Sequence, residues 1–319
     1  MTKYLVTGFS GFVSQHFIAY LAGQGEQAEV LGVDIAPPDP AFAGYPGLKI
    51  EYAPLDLLNN AGLRELLARF RPDRILHLAS FSSVAFSWQN PILSFQHNTN
   101  IFLNLVEQVH KLGLDCRIIS VGSSDEYGQV AENELPLTEE SPLRPASPYA
   151  VARVSQEMLS RLFVDGYGLD IIMTRSFNHI GPGQRETFVV ASFAKQLVEA
   201  KKRGLHKCEL VTGDLDVVRD FCDVRDVVRA YHGLFRQGTK GQLYNICSAQ
   251  GHSLRDLVAL LAELLGIEVV TKVDRALIRP NEIKMIVGAN QKIAKETGWR
   301  PQYDLRRSLR DILDYWSAK

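Results

Sequence analysis

In the run Ser147-Pro148-Tyr149-Ala150-Val151-Ala152-Arg153, a phenol stands four residues before a guanidinium. On a helix, residues i and i+4 share a face, so Tyr149 and Arg153 project together. A fixed cation beside a phenol stabilises the phenolate, which suits the tyrosine to proton donation. A second run, Ser123-Ser124-Asp125-Glu126-Tyr127-Gly128, supplies partners for such chemistry. Ser123 has a hydroxyl to bind a carbonyl or alcohol oxygen, and Asp125 has a carboxylate to serve as a second acid or base. Taken alone, the first run also reads as an ordinary helix start with a half-buried tyrosine and a solvated arginine. The glycines near the N-terminus favour the chemical reading.

Those glycines lie in Thr7-Gly8-Phe9-Ser10-Gly11-Phe12-Val13-Ser14, directly after the apolar run Lys3–Gly8. A tight turn from a strand into a helix leaves backbone N–H groups and the positive end of the helix dipole free for a pyrophosphate. Twenty residues beyond Ser14, the next apolar run ends at Asp34. A carboxylate there accepts both hydroxyls of an adenosine ribose and repels a 2′-phosphate, which favours NAD(H) over NADP(H).

Elements of a particular kind must hold these residues. Strand-like runs at 3–8, 28–34, 49–56, 74–80, 116–124 and 169–177 alternate with helical patterns at about 11–23, 60–70, 91–112 and from 147. That alternation predicts an α/β fold: a doubly wound parallel Rossmann sheet, covered on both faces and wound right-handedly. Beyond about residue 178 the rhythm loosens, with strand-like runs at 207–213, 241–248 and 267–273 interspersed with helices expected near 187–203, 223–236, 253–265 and 305–317. The expected division is a cofactor-binding domain over 1–177, with 223–247 returning to it, and a smaller C-terminal α/β substrate lobe in the rest of 178–319. Asp223 is the expected N-cap of one of those helices.

Composition sets limits. With 35 Lys and Arg against 36 Asp and Glu, the net charge of -1 offers no global attraction for nucleic acid or an anionic membrane, so a polyanionic ligand must be held locally. No apolar stretch reaches the roughly 20 residues of a membrane span. Cys116, Cys208, Cys222 and Cys247 lack metal-site or redox spacing and read as buried free thiols, from which a cytoplasmic location is expected. His77 and His179 are expected to be buried hydrogen-bonding residues, and no metal site is expected.

The Gly8-x-x-Gly11-Phe12 turn, the HLAS of the fourth strand, the Ser-x-x-x-Tyr-Gly run and the Tyr-x-x-x-basic pair together resemble the extended short-chain dehydrogenase/reductase family over nearly the whole chain. SFNHIGPGQ (176–184), FAKQLV (193–198), VVRDFCDVRDVVRAY (217–231), YNICS (244–248) and IRPNE (278–282) are similar to its nucleotide-sugar branch of GDP-mannose 4,6-dehydratases and GDP-6-deoxy-4-keto-mannose reductases, nearest to the reductases. The resemblance implies a sugar 4-position set between Tyr149 and the nicotinamide, with Ser123 on the same oxygen. It implies cofactor contacts from Gly8, Ser10, Gly11, Phe12, Asp34, Asp56, Leu57, Leu78, Ala79, Ser80, Asn98, Tyr149 and Arg153. For the nucleotide-diphosphate sugar it implies Asn178 and Arg279 at the diphosphate and Arg219 on the nucleotide or phosphate side. Gln184 and Lys195 would line the nucleotide pocket, with Ser82, Ser83 and Ser124 toward the hexose. A homodimer through the helices at 91–112 and 147–167 is implied as well.

Three positions depart from the family pattern. Ser14 replaces a third glycine. Ile101 and Phe102 replace a Gly-Thr pair after Asn98. Arg153 replaces a lysine, and its planar, permanently charged fork keeps the cation while forbidding proton exchange. Four functions stay open at this level: a 4-ketoreductase using dissociable NAD(P)H, a 4,6-dehydratase with retained NAD and Asp125 as acid or base, a 4-epimerase, and a non-catalytic NAD-binding protein.

Overall fold

The computed structural model describes residues 1–38, 44–278 and 281–319. In chain order the elements are β1 (Thr2–Thr7), α1 (Phe12–Gly23), β2 (Ala28–Asp34), β3 (Leu48–Pro54), α2 (Asn60–Phe70), β4 (Arg74–His77), α3 (Val84–Gln89), α4 (Pro91–Phe95), α5 (Ile101–Lys111), β5 (Arg117–Ser123), α6 (Pro148–Tyr167), β6 (Asp170–Ser176) and β7 (Asn178–Ile180). There follow α7 (Val189–Lys202), β8 (Lys207–Thr212), β9 (Val218–Asp223), α8 (Val224–Gln237), β10 (Leu243–Ile246), β11 (Gly251–Ser253), α9 (Leu254–Leu265), β12 (Glu268–Val273), β13 (Met285–Ile286), α10 (Gln291–Thr297) and α11 (Leu305–Ser317).

Seven strands form one sheet in the order β10-β6-β5-β4-β1-β2-β3, each neighbouring pair parallel. This is the α/β doubly wound Rossmann sheet expected from the sequence. Alternate side chains of its strands serve opposite faces: Tyr4 and Val6 join the core made with α1 and α8, while Leu5 joins the one made with α2 and α5. The chain runs outward from β1 to β3 and returns at β4 on the other side of β1, so a crevice opens at the carboxyl ends where the winding reverses.

The predicted helix at 91–112 is not regular. α4 and α5 are joined by a π-helical turn at Gln96–Asn100. Within that turn Asn98 Nδ2 donates to Ser94 O at 2.6 Å and Phe81 O at 3.3 Å, and Thr99 Oγ1 donates to Ala152 O at 2.9 Å. Side-chain bonds to groups outside the helix thus hold a widened turn that apolar periodicity does not reveal.

The remaining strands build two small sheets. One has the order β11-β9-β13 with β7 also on β9, and the other pairs β8 with β12. Helices α7, α9 and α11 share a separate apolar core beside them. α8 packs on α1 and β5, and Asp223 caps it, Oδ1 accepting from Arg225 N at 2.9 Å. Among the described residues no helix is long and apolar enough to cross a membrane.

Candidate functional site

The turn after β1 is built for close approach. Gly8 has φ +67°, and a Cβ there would lie 2.8 Å from Ala79 N, so both backbone and space require glycine. Gly11 N donates to Gly8 O at 3.0 Å and closes the turn. Gly11 is the N-cap of α1 and no side chain caps the helix, which leaves its first N–H groups open to the crevice. Ser10 N donates to Asp34 Oδ2 at 3.0 Å, which sets that carboxylate beside the turn. Ser14, where the resemblance has a third glycine, is fully buried with its hydroxyl unpartnered. A tight glycine turn packed on the end of β4, at a bare helix N-terminus beside a carboxylate, fits a dinucleotide pyrophosphate and ribose.

The turn opens into a cleft of about 530 Å³. Its walls include Gly8, Ser10, Gly11, Phe12, Asp34, Asp56, Leu57, Leu78, Ala79 and Ser80 at one end, with Ser82, Ser123, Ser124, Asp125, Tyr149, Arg153, Asn178 and Gln184 further along. Ser147 caps α6, its hydroxyl accepting from Ala150 N at 3.1 Å, and Pro148 fills the first helical position. One turn in, Arg153 Nε donates to Tyr149 Oη at 3.2 Å. Because the phenol oxygen accepts that bond, its own proton stays available to donate, and Tyr149 lines the cleft. The same logic holds for Ser123: its Oγ accepts from Asp125 N at 3.2 Å, leaving the hydroxyl proton to donate. Tyr149 and Arg153 are 5% and 4% exposed, so the guanidinium acts on the phenol through little water.

Behind Ser123 lies a buried acid that sequence reasoning passed over. Ser123 N donates to Glu126 Oε1 at 2.7 Å. Burial first, then the charge of Glu157, pushes the Glu126 carboxyl well above the usual range. Burial also acts to raise Glu157, but bonds from Arg175 and Arg161 outweigh it and keep Glu157 ionised. Arg175 grips it with Nε and Nη2, both at 2.9 Å. The sequence shows an acid beside a tyrosine at 126; the partners 31 and 49 residues away that make it structural come only from the fold. Phe81, His97, Ser176, Arg185, Phe188 and Tyr231 also line the cleft unanticipated.

Some expected residues lie elsewhere. Ser83 caps α3, accepting from Phe86 N at 3.1 Å. Lys195 pairs with Glu186 at 2.9 Å. Asn98 is fully buried in the π turn, with its Oδ1 unpartnered. Arg219 pairs with Glu282 at 2.9 Å and shares a small adjoining recess with Asp125. Arg279 lies outside the described residues. His77 and His179 are held neutral by burial, which lowers them to about 3 and about 4. Among the described residues no group of three or more His, Cys, Asp or Glu is arranged to hold a metal ion.

A family model described as GDP-mannose 4,6 dehydratase matches residues 5–312. The chain belongs to the GDP-mannose 4,6-dehydratase family. As a member of it, the chain is similar to the GDP-6-deoxy-D-mannose reductase of Pseudomonas aeruginosa, 36% identical over 320 residues that span 100% of this chain and 99% of the relative. Among solved structures this family member is similar to RMD from Pseudomonas aeruginosa complexed with NADPH, at 35% identity and TM-score 0.84 over 100% of this chain and 98% of that one. It is also similar to the UDP-glucose 4-epimerase of Thermotoga maritima with UDP-glucose, at 26% identity and TM-score 0.88 over 99% of each chain. The extended short-chain dehydrogenase/reductase resemblance seen in the motifs is thereby borne out.

Proposed function

We propose that the protein reduces the 4-keto group of a nucleotide-diphosphate 4-keto-6-deoxyhexose, GDP-linked by kinship with the Pseudomonas reductase. The observation that carries this reading is the shared cleft: the open helix N-terminus and Asp34 at one end, and further along Ser123 and Tyr149, whose hydroxyl oxygens each accept a bond from the protein and keep a proton to donate. When bound, a reduced nicotinamide supplies the hydride. Ser123 donates to the carbonyl oxygen, Tyr149 delivers the proton as the oxygen gains charge, and Arg153 stabilises the phenolate left behind. Asn178 and Gln184 serve the sugar nucleotide further along the cleft, with Arg279 assigned to its diphosphate. Residues 1–177 with 223–247 form the cofactor-binding part and the rest of 178–319 the sugar-nucleotide part.

Asp34 supports NAD(H). No Lys or Arg occurs between Asp34 and Lys49 to meet a 2′-phosphate, although the Pseudomonas structure holds NADPH. A second reading, a 4,6-dehydratase with retained NAD, draws on the Asp125 carboxylate in the cleft wall. Consumption of added NADH with a GDP-4-keto-6-deoxyhexose supports the reductase. Stoichiometric co-purifying NAD, no NADH consumption, and 4-keto product formed from GDP-mannose overturn it in favour of the dehydratase.

For assembly, Val151, Met158 and Leu162 of α6 are 45%, 49% and 54% exposed, and Ile92 and Leu93 of α4 are 74% and 43% exposed. We take this stripe as a homodimer seam, in a cytoplasmic protein, which light scattering of the purified chain tests.

A further inference from the structure

Arg153 is held from behind by a network that the reaction itself does not require. Its Nη1 donates to Gln156 Oε1 at 2.6 Å and to Val121 O at 3.1 Å. Gln156 Nε2 in turn donates to Ser120 Oγ at 2.9 Å and Val121 O at 3.2 Å. Ser160 Oγ lies 3.0 Å from Ser120 Oγ and donates to Gln156 O at 2.9 Å. Gln156, Ser120 and Ser160 are 1%, 3% and 0% exposed.

The amide of Gln156 has a single workable orientation. A guanidinium only donates and a carbonyl only accepts, so Oε1 must face Arg153 and Nε2 must face Val121. Of the five N–H donors of Arg153, Nη1 spends both of its own on Gln156 and Val121, and Nε spends one on Tyr149. The two on Nη2 have no protein acceptor among the described residues, and Arg153 lines the cleft. Every partner is neutral: an amide, a backbone carbonyl and a phenol. A carboxylate at position 156 would grip the guanidinium as well but would quench its field at Tyr149. A neutral amide fixes the fork and leaves the charge in force.

We propose that Gln156, locked by Ser120 and Ser160, is a positioning residue that aims the Arg153 guanidinium so that Nε faces the Tyr149 hydroxyl and Nη2 faces the cleft. This deepens the reductase reading and rests on Tyr149 as proton donor. Other titratable groups around Arg153 come from different elements: His77 at the end of β4, kept neutral by burial, Tyr231 on α8, whose phenol burial pushes up, and Asp125 after β5 in the same cleft wall.

The test is a cycle of Gln156→Met, which keeps the volume, Arg153→Lys and the double variant, together with Gln156→Glu. Melting temperatures establish that each is folded. An ammonium offers one nitrogen and cannot bridge Gln156, Val121 and Tyr149 as the fork does. With Arg153 in place, Gln156→Met is expected to lower kcat on the order of tenfold, with KM for both substrates within about twofold. In the Arg153→Lys background the same change is expected to alter kcat by less than about twofold. Gln156→Glu is expected to move the tyrosine limb of the kcat–pH profile upward by about one pH unit. A Gln156→Met kcat equal to wild type, or reduced by the same factor in both backgrounds, or an unmoved limb in Gln156→Glu, overturns the proposal. If wild type turns over no 4-keto-6-deoxy sugar nucleotide, the functional reading has failed instead. The positioning role is then read without turnover, from an ultraviolet phenolate titration of each protein minus its Tyr149→Phe counterpart: tyrosinate forming at higher pH in Gln156→Glu supports it, and coincident curves overturn it.

Discussion

Arg153 reaches Tyr149 through Nε while its remaining protein bonds go to an amide and a backbone carbonyl, so the charge next to the phenol is not neutralised. Tyr149→Phe keeps the ring and removes the proton, and kcat is expected to fall by about 10² to 10⁴ while NADH binding measured by fluorescence is retained. At the other end of the cleft, Asp34→Ala removes both the ribose acceptor and the repulsion of a 2′-phosphate. The ratio of kcat/KM for NADPH over NADH is expected to rise about tenfold or more in initial-rate assays. Gly8, Asp34, Ser123 and Tyr149 were legible in the sequence because each is defined by local spacing against a strand end or helix start. Gln156 and Glu126 were not. Gln156 matters through Ser120 on β5, and Glu126 through Arg175 on β6, pairings that exist only once the strands lie side by side.

At the scale of elements, the ends of β1 and β4 are pinned together under the glycine turn. Thr7 Oγ1 accepts from Leu78 N and Ala79 N, both at 3.2 Å, so its proton goes to His77 Nδ1 at 2.9 Å. His77 therefore carries its hydrogen on Nε2, and a second proton on Nδ1 would break the pin. The folded value of about 3, set first by burial and then by Arg153, lies below the ordinary 6.5. Its stabilisation is full above about pH 6.5 and is lost as pH falls toward 3; by pH 4 the loss is on the order of 3 kcal/mol. His179 acts in the same direction. Asp220, raised to about 6 by burial, acts oppositely, since the fold keeps its proton while the unfolded chain releases it, and it adds stability as pH falls from about 6 to 4. Urea unfolding between pH 7 and pH 4 is expected to show a shallower acid decline in His77→Gln than in wild type. The strands and most helices of this sheet were legible from apolar rhythm. The π turn was not, because Asn98 and Thr99 hold it with side-chain bonds to Phe81 and Ala152.

Across the whole molecule, the seven-stranded sheet and the small sheet on β9 are joined at Asp220. Its carboxylate accepts from Ser248 N at 2.7 Å, Ser248 Oγ at 2.6 Å, Ala249 N at 2.9 Å and Gly288 N at 3.3 Å, which joins the exit of β10 to β9 and to the segment after β13. Leu137 is tied to that segment too, donating to Val287 O and accepting from Ala289 N, each at 2.8 Å. Asp220→Asn turns one acceptor into a donor facing donors, and is expected to cost about 2 to 3 kcal/mol in chemical denaturation. The runs at 207–213 and 267–273 were legible as β8 and β12, whereas β7, β11 and β13 were not, since two or three residues are too few to show alternation. α6 is read on both sides. At about 100° per residue, Tyr149, Arg153, Gln156 and Ser160 fall along one edge of the helix, and Val151, Met158 and Leu162 along the opposite one. A helix answerable to a proton-transfer site on one edge and to an exposed apolar seam on the other leaves evolution few neutral positions. In a saturating library screened for growth or activity, α6 should tolerate fewer substitutions per residue than the equally regular α9 or α11, and drift in this lineage should accumulate in those outer helices first.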